Sequence, residues 1–391
     1  MAAQLAFASD YMEGAHPEIL KKLAETNLIK SAGYGLDEYS ETAREKIRKA
    51  CNAPEAEVHF LVGGTQTNAT VIGALLASYQ GVVAAETGHV SSHEAGAIEA
   101  GGHKVLTIPQ TDGKISAEKV EEVLNTFKED GNRDHMVMPG MVYISQPTEY
   151  GTLYNRQELG ALSKVCRSNG IPLYLDGARL AYALACPAND VTLEDIAACC
   201  DAFYIGGTKC GALFGEAVVF PKPGLIPHFF TIVKQHGALL AKGRILGIQF
   251  DVLFENDLYE HIGEPAIAAA DKIREGLKEN GIELYLDAPT NQVFCVVDNA
   301  FMEKLAQKVE FSFWEKKDET HTVIRFATSW ATTMEDVDEL IRWIEQKKNR
   351  NQQKLSENFS THLLTVLIMR AIFMLGNRNK RNSFIAQWEM R

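Results

Sequence analysis

Two ionisable residues stand where apolar runs end. Asp176 closes "IPLYLD", and Lys209 follows "AFYIGGT" 33 residues later. A lysine at the end of a buried strand is costly when charged and unpaired. Burial lowers its pKa and makes the amine nucleophilic, which suits a Schiff base with a carbonyl compound. With "TLEDIAACC" as a crossing helix between two parallel strands, both residues reach the carboxyl edge of one sheet. An amine and a carboxylate on one ligand is the pair that pyridoxal 5'-phosphate (PLP) requires. The lysine bonds the aldehyde, and the carboxylate keeps the pyridine nitrogen protonated so that the ring withdraws electrons. Taken singly, Asp176 reads equally as a helix N-cap and Lys209 as a surface lysine in a strand-end loop.

Neighbouring residues fit a planar, phosphorylated ligand. Gly206, Gly207 and Gly211 surround the lysine and would let backbone approach a ligand closely, and Thr208 adds a hydroxyl. "LVGGTQTNATVIGAL" runs strand, then Gly63-Gly64-Thr65, then helix, and so offers free N–H groups to a phosphate. It lacks the lysine of a Walker loop. His89, after "VVAAE", is placed to stack on a planar ring. A rival reading pairs His89 and His93 at i, i+4 with Glu94 as a zinc site, although no third ligand follows by spacing. His103 and His93 otherwise read as ordinary polar residues, and Cys210 as a small packed one.

These residues need elements to hold them. "VHFLVG", "VVAAE", "HKVLTIP", "MVYIS", "PLYLD", "AFYIGG" and "EAVVFP" are short and nearly all apolar, as in a sheet covered on both faces. Between them lie helical stretches, among them "SAEKVEEVLNTFKED" opened by Ser116 and "NRQELGALSKVCRSNG" ended by Gly170. Such alternation implies an α/β layered domain with a mostly parallel sheet. After about Gly247 the texture changes to a long helix, the strands "IELYLD", "NQVFCVV" and "HTVIRFAT", and a last helix, as in a smaller α+β domain. Residues 1–55 read as mainly helical, with an irregular stretch, "SAGYGLDEYS". From 349 onward the chain carries seven basic and two acidic residues, against the acidic balance elsewhere. We expect 349–391 to be a poorly ordered basic extension, with the folded protein ending near Lys348.

The net charge of −12 over 391 residues argues against nonspecific nucleic-acid or anionic-membrane binding. No signal peptide and no membrane-length apolar run is evident. Seven scattered cysteines without a CxxC read as reduced thiols of a cytoplasmic protein.

"YLDGARL", "GGTKCGALFGEAVVF", "VGGTQTN", "ETGHVSSHEAGAIEAGGHKV" and the opening "FASDYMEGAHPEI" together resemble the low-specificity L-threonine aldolases, of the β-eliminating-lyase group of fold-type-I PLP enzymes. The resemblance covers about Leu5 to Lys348. It implies a PLP-dependent transferase-like large domain with a mostly parallel seven-stranded sheet over 16–246, a smaller α+β domain over 247–348, and an N-terminal segment, 1–15, near the active site. It implies Lys209 as the Schiff-base lysine, Asp176 against the pyridine nitrogen, and Gly64, Thr65 and Thr208 at the phosphate. His89 would stack on the ring and sit near the substrate hydroxyl, as a catalytic residue beside Lys209. Ser9, Arg179 and Arg325 would bind the substrate carboxylate, a directional clamp, and Arg179 would also lie near the cofactor. Tyr34 would reach the site from an early loop, with Lys242 and Arg244 contributed by a neighbouring subunit. Where many of these aldolases carry a second histidine, this sequence has Glu149, in "SQPTEYGTLY"; a glutamate with a raised pKa can replace it as base.

The implied reaction is retro-aldol cleavage of L-threonine, L-allo-threonine and related β-hydroxy amino acids to glycine and an aldehyde. Its rivals are β-elimination from an aromatic or sulfur amino acid, a metal hydrolase using His89, His93 and Glu94, and a protein that binds the cofactor without turnover. The resemblance also implies a homodimer or homotetramer with shared active sites, while the charge and the ligand spacing lead us to expect no nucleic-acid or membrane partner and no metal.

Overall fold

A computed structural model describes residues 4–345. The chain divides into two compact units, Met1–Val337 and Asp338–Arg391. Of the second, residues 338–345 are described and are helical. The extension expected over 349–391 lies outside the described residues.

The strands, in chain order, are β1 Leu5–Ala6, β2 Glu57–Leu61, β3 Gln80–Ala85, β4 Val105–Ile108, β5 Met138–Ser145, β6 Leu173–Asp176, β7 Ala202–Gly206, β8 Glu216–Phe220, β9 Leu284–Leu286, β10 Gln292–Asp298, β11 Val309–Glu310, β12 Ser312–Lys316 and β13 His321–Ala327. Seven of them form one sheet in the order β2-β8-β7-β6-β5-β3-β4. β4, β3, β5, β6 and β7 run parallel, while β8 is antiparallel to both of its neighbours.

The apolar strands divide their side chains between two cores. Val83, Val142, Ile144, Leu173, Leu175, Phe203 and Ile205 pack on one face. Val82, Met141, Tyr143, Tyr174, Ala202 and Tyr204 pack on the other. Successive side chains of a strand point to opposite faces, so a strand buried on both has no polar alternation left to show. Helices cover the faces and begin and end where their caps dictate. Ser116 accepts from Lys119 N–H to open the helix Ala117–Glu129, and Gly170, at φ 66°, closes Arg156–Asn169. Among the described residues no helix is long and apolar enough to cross a membrane.

The carboxyl ends of β3, β5, β6 and β7 share one edge, with Ser145 level with Asp176. β4 lies beyond β3 while β6 and β7 lie beyond β5, so the connections diverge between β3 and β5. Ligands of open α/β sheets bind outside such a switch point.

Four strands form a second, wholly antiparallel sheet in the order β12-β13-β10-β9. β9, β10 and β13 are the strands anticipated there. β12, "SFWEK", is additional: it is partly exposed and its register shifts between Phe313 and Glu315, which erases a period-2 pattern. β1 pairs with β11, and Ala327 N–H donates to Phe7 O. The N-terminal segment is thereby held beside β13, which brings residues 8–11 toward the sheet edge.

Candidate active site

Asp176 ends β6 and is buried. Each of its oxygens takes two donors. Tyr204 hydroxyl and Ala178 N–H donate to Oδ1 at 2.6 and 3.0 Å, and Tyr143 hydroxyl and Asn68 Nδ2 donate to Oδ2 at 2.6 and 3.0 Å. Burial alone would raise its pKa, but His89 nearby and the hydrogen bonds from Tyr143, Tyr204 and Asn68 hold it below the ordinary range. The same burial holds the tyrosines far above theirs, so they remain donors. Asn68 also donates to Glu94 Oε1 at 2.7 Å, which in turn accepts from His89 Nδ1 at 2.8 Å. One chain of hydrogen bonds therefore fixes the His89 ring relative to the Asp176 carboxylate.

Lys209 follows β7 in a tight turn anchored by Tyr182, whose hydroxyl donates to Lys209 O. Burial and the Arg179 charge lower its pKa, against Asp10, Asp176 and Glu216. No ion pair or hydrogen bond to another described residue fixes Nζ, which lies 5.9 Å from the Tyr11 ring centre. The surrounding glycines serve a different purpose from the one expected. A Cβ on Gly206 would lie 2.5 Å from Ala178 O, on Gly207 2.6 Å from Gly215 O, and on Gly211 2.4 Å from Ile262 Cδ1. They let the protein pack against itself and leave no backbone bare for a ligand.

The cleft has two adjoining lobes that share Tyr11, His89, Glu149, Arg179 and Lys209. The deeper, about 290 Å³, is also lined by Gly64, Thr65, Asp176, Thr208 and Glu216. The helix Gly64–Leu75 opens on it with no side-chain cap at Gly63, so its first N–H groups are unclaimed by a side chain. The outer lobe, about 460 Å³, adds Arg325, Gln292, His93 and an aromatic wall of Tyr150, Phe313 and Trp314. A larger hollow of about 720 Å³ lies elsewhere among surface charges such as Lys21 and Glu25 and holds none of the candidate residues.

Glu149 follows β5. Its Oε1 accepts from Ser145 hydroxyl at 2.7 Å and from His89 N–H at 2.9 Å. Burial raises its pKa despite these bonds. Arg179 donates through Nε and Nη2 to Asp10 at 2.6 and 3.0 Å. Arg325 donates to Gln292 Oε1, Ala8 O and Ser312 Oγ at 2.9, 3.0 and 3.1 Å. Burial, reinforced by Arg179, lowers Arg325 to about 10. Two half-buried guanidiniums, one of which lowers the other, make a place for an anion.

Eight expected residues thus share the deep lobe: Gly64, Thr65, His89, Glu149, Asp176, Arg179, Thr208 and Lys209. Arg325 joins them in the outer lobe. Ser9 lines neither lobe. Its hydroxyl is buried without a partner among the described residues, and its neighbours Ala8 and Asp10 hold the two arginines instead. Tyr34 is also absent from the cleft; it lines a separate hollow, with its ring under Lys234 Nζ at 4.6 Å. Arg244 donates to Thr26 O and Ile29 O, and neither it nor Lys242 lines the cleft. The His93 ring stacks between His89 and Trp314 at 5.8 and 6.0 Å. Among the described residues no group of three or more His, Cys, Asp or Glu is arranged to hold a metal.

Sequence reasoning missed Asn68, Tyr143, Tyr204, Asp10 and Glu216. A signal for the tyrosines was present: "MVYIS", "PLYLD" and "AFYIG" each place a tyrosine mid-strand, and these fall on one face of adjacent strands.

The family profile described as beta-eliminating lyase matches residues 6–300. A low specificity L-threonine aldolase from Pseudomonas aeruginosa is 31% identical over 342 residues, 86% of this chain and 96% of its own length. A solved threonine aldolase from Leishmania major superposes with a TM-score of 0.85 at 40% identity, covering 88% of this chain and 99% of its own. An aspartate aminotransferase from Thermus thermophilus, at 15% identity and a TM-score of 0.66, shares the fold.

Proposed function

The chain belongs to the beta-eliminating lyase family, and from that premise we propose that it is a PLP-dependent aldehyde-lyase cleaving L-threonine, L-allo-threonine and related β-hydroxy amino acids to glycine and an aldehyde. One observation carries the reading. The four-donor carboxylate of Asp176 and the unpaired amine of Lys209 line the same lobe, beside an uncapped helix N-terminus. This donor set fits PLP: a fixed negative charge for the ring nitrogen, an amine for the aldehyde, and N–H groups for the phosphate. Bound there, PLP supplies an electron-withdrawing ring that weakens a bond at the substrate Cα.

The remaining work falls to the chain. Lys209, with its lowered pKa, supplies the amine that holds the cofactor. Asp176 keeps its charge because four donors stabilise the ionised form. Gly64, Thr65 and Thr208 would hold the phosphate, and His89, oriented by Glu94, would support the ring. Arg179 and Arg325 would bind the substrate carboxylate and so orient the bonds at Cα. As the aldehyde forms, the β-hydroxyl proton must be held, and Glu149, at the junction of the lobes, is placed to hold it. Ser9, which lines neither lobe, serves the carboxylate site through its neighbours Ala8 and Asp10, which hold the two arginines. The residues absent from this cleft, Tyr34, Lys242 and Arg244, serve the site of a second copy in a homodimer or homotetramer, a reading supported by the exposure of Leu28, Leu36 and Tyr34. Residues 16–246 are the cofactor-binding domain, and the smaller one takes in the described residues from 247 to 337. Seven scattered cysteines without a CxxC support a cytoplasmic setting.

The visible spectrum tests the cofactor. A band that borohydride traps covalently on Lys209, and that Lys209→Ala lacks, is expected. A protein that stays colourless after added PLP overturns the assignment. Products test the reaction: glycine and acetaldehyde from threonine are expected, whereas ammonia and an oxo acid would mark β-elimination.

A further inference from the structure

Glu216 has no task in the mechanism above, yet it is a buried carboxyl on the wall of the deep lobe. It opens β8 directly across from Gly206. Its Oε2 accepts Gly207 N–H at 3.0 Å, and its Oε1 accepts the Thr208 hydroxyl at 2.7 Å. Thr208 Oγ1 itself accepts Gly215 N–H at 3.0 Å. A hydroxyl has one proton to give, and that of Thr208 is turned toward Glu216. Thr208 therefore has nothing to donate to an anion in the lobe, and an ionised carboxylate behind it repels one.

A single proton removes both conflicts. We propose that the deep lobe takes up the phosphate of its cofactor together with a proton that resides on Glu216. The proposal rests on the assignment of this lobe to PLP. Protonated Glu216 donates to Thr208 Oγ1 while its other oxygen still accepts Gly207 N–H. Thr208 then accepts from Gly215 and Glu216 on its two lone pairs, and its own proton turns outward to the phosphate. Solvent supplies the proton, and no covalent bond changes.

The surroundings agree. Burial pushes Glu216 up to about 8, against the Thr208 and Gly207 hydrogen bonds and the Lys209 charge, while Asp176 from β6 raises it further. The other titratable groups around it are Tyr174, Tyr204, Tyr259 and Cys210, all held in their neutral forms by burial. The proton thus resides on Glu216 near neutrality and must be acquired with the ligand above about pH 8.

Benzyl phosphate tests this on the full chain freed of PLP, because it carries the phosphate ester but neither an aldehyde for Lys209 nor a ring nitrogen that would take a proton against Asp176. At alkaline pH its phosphate, with a second pKa of about 6, is already dianionic. Wild-type affinity should fall about tenfold per pH unit above about pH 8.5, one proton's linkage. Calorimetry in two buffers at about pH 9 should show uptake approaching one proton. Glu216→Gln donates to Thr208 and accepts from Gly207 without ionising, so its affinity should stay level over the same range. Lys209→Ala removes a charge that lowers Glu216, so its affinity should keep the same slope but begin to fall at a higher pH than wild type, which decides the matter should Glu216→Gln fail to fold. A level wild-type profile, a slope that survives in Glu216→Gln, or a fall that begins at lower pH in Lys209→Ala overturns the proposal. Absence of binding at every pH overturns the assignment of the lobe, and the proposal with it.

Discussion

Arg179 and Asp10, 169 positions apart in sequence, meet through two parallel hydrogen bonds of 2.6 and 3.0 Å. Asn291 Nδ2 also donates to Asp10, at 2.9 Å. Burial would raise the Asp10 pKa, but Arg179, with Lys209 behind it, holds it well below the carboxylate range. The pair aims the guanidinium and leaves Nη1 without a partner among the described residues. Asp10→Asn should therefore raise KM for threonine about tenfold while changing kcat less, the pattern of a binding group that has lost its orientation. Equal loss in kcat would mean that Arg179 acts on the chemistry instead.

The same pair predicts acid sensitivity. A carboxyl whose pKa is depressed by folding contributes stability above its unfolded value, about 3.9, and loses it as pH falls toward the folded value. Wild type should lose stability below about pH 4 more steeply than Asp10→Asn, as urea midpoints between about pH 3 and 7 would show. Parallel curves would mean that Asp10 is not the group being titrated.

Asp176→Asn tests the four-donor carboxylate. An amide offers one acceptor oxygen where the tyrosines, Asn68 and Ala178 present donors on both sides. Asn68 is not free to flip, because Tyr174 hydroxyl donates to its Oδ1 at 2.9 Å. An unsatisfied buried group costs about 1–3 kcal/mol, so the melting temperature should fall. Removing one preorganised electrostatic partner lowers kcat by about 10²–10³. An unchanged melting temperature would show that the network relaxes around the amide.

The sequence carried the outline of this site because its outline is local. Strand-end positions of Asp176 and Lys209 follow from two apolar runs and a crossing helix, and β–α–β geometry then places both at one edge. The supporting residues are not local. Asn68, Tyr143 and Tyr204 each read as ordinary core residues until the sheet order is known, and Asp10 meets Arg179 only because β1 docks on β11. Glu216 was hidden differently. In "GEAVVF" it looks like the polar start of a strand, and only the antiparallel turn back from β7 lays it across from Gly206. The glycines beside Lys209 misled for a related reason: sequence shows that a side chain is missing, but not whether protein or ligand fills the space.

Thiol chemistry gives an independent check on packing. Six of the seven cysteines are buried, Cys199 being intermediate. Burial pushes Cys51, Cys166 and Cys210 up to about 12, so little thiolate forms at neutral pH. Titration of the native protein with a disulfide reagent should show at most one fast thiol, Cys199, and all seven after denaturation. Rapid reaction at Cys210 would contradict the packed turn on which Lys209 stands.

The last prediction concerns the base. Glu149 meets both lobes, and its pKa is raised chiefly by burial, with the nearby Asp176 adding to it. As a base it must be ionised, so kcat/KM should decline as pH falls through that raised value, above the ordinary glutamate value of about 4.3. Glu149→Gln keeps an acceptor for Ser145 hydroxyl and His89 N–H but cannot take a proton. It should lose this acidic limb and about 10²–10⁴ in rate. Glycine separates this role from a general loss of the site. Having no β-hydroxyl, glycine should still exchange its α-proton with solvent in Glu149→Gln at close to the wild-type rate. Exchange lost in step with cleavage would place Glu149 at Cα instead. An acidic limb that persists unmoved in Glu149→Gln would point to His93, which lines the outer lobe and whose pKa is lowered by burial and by His89.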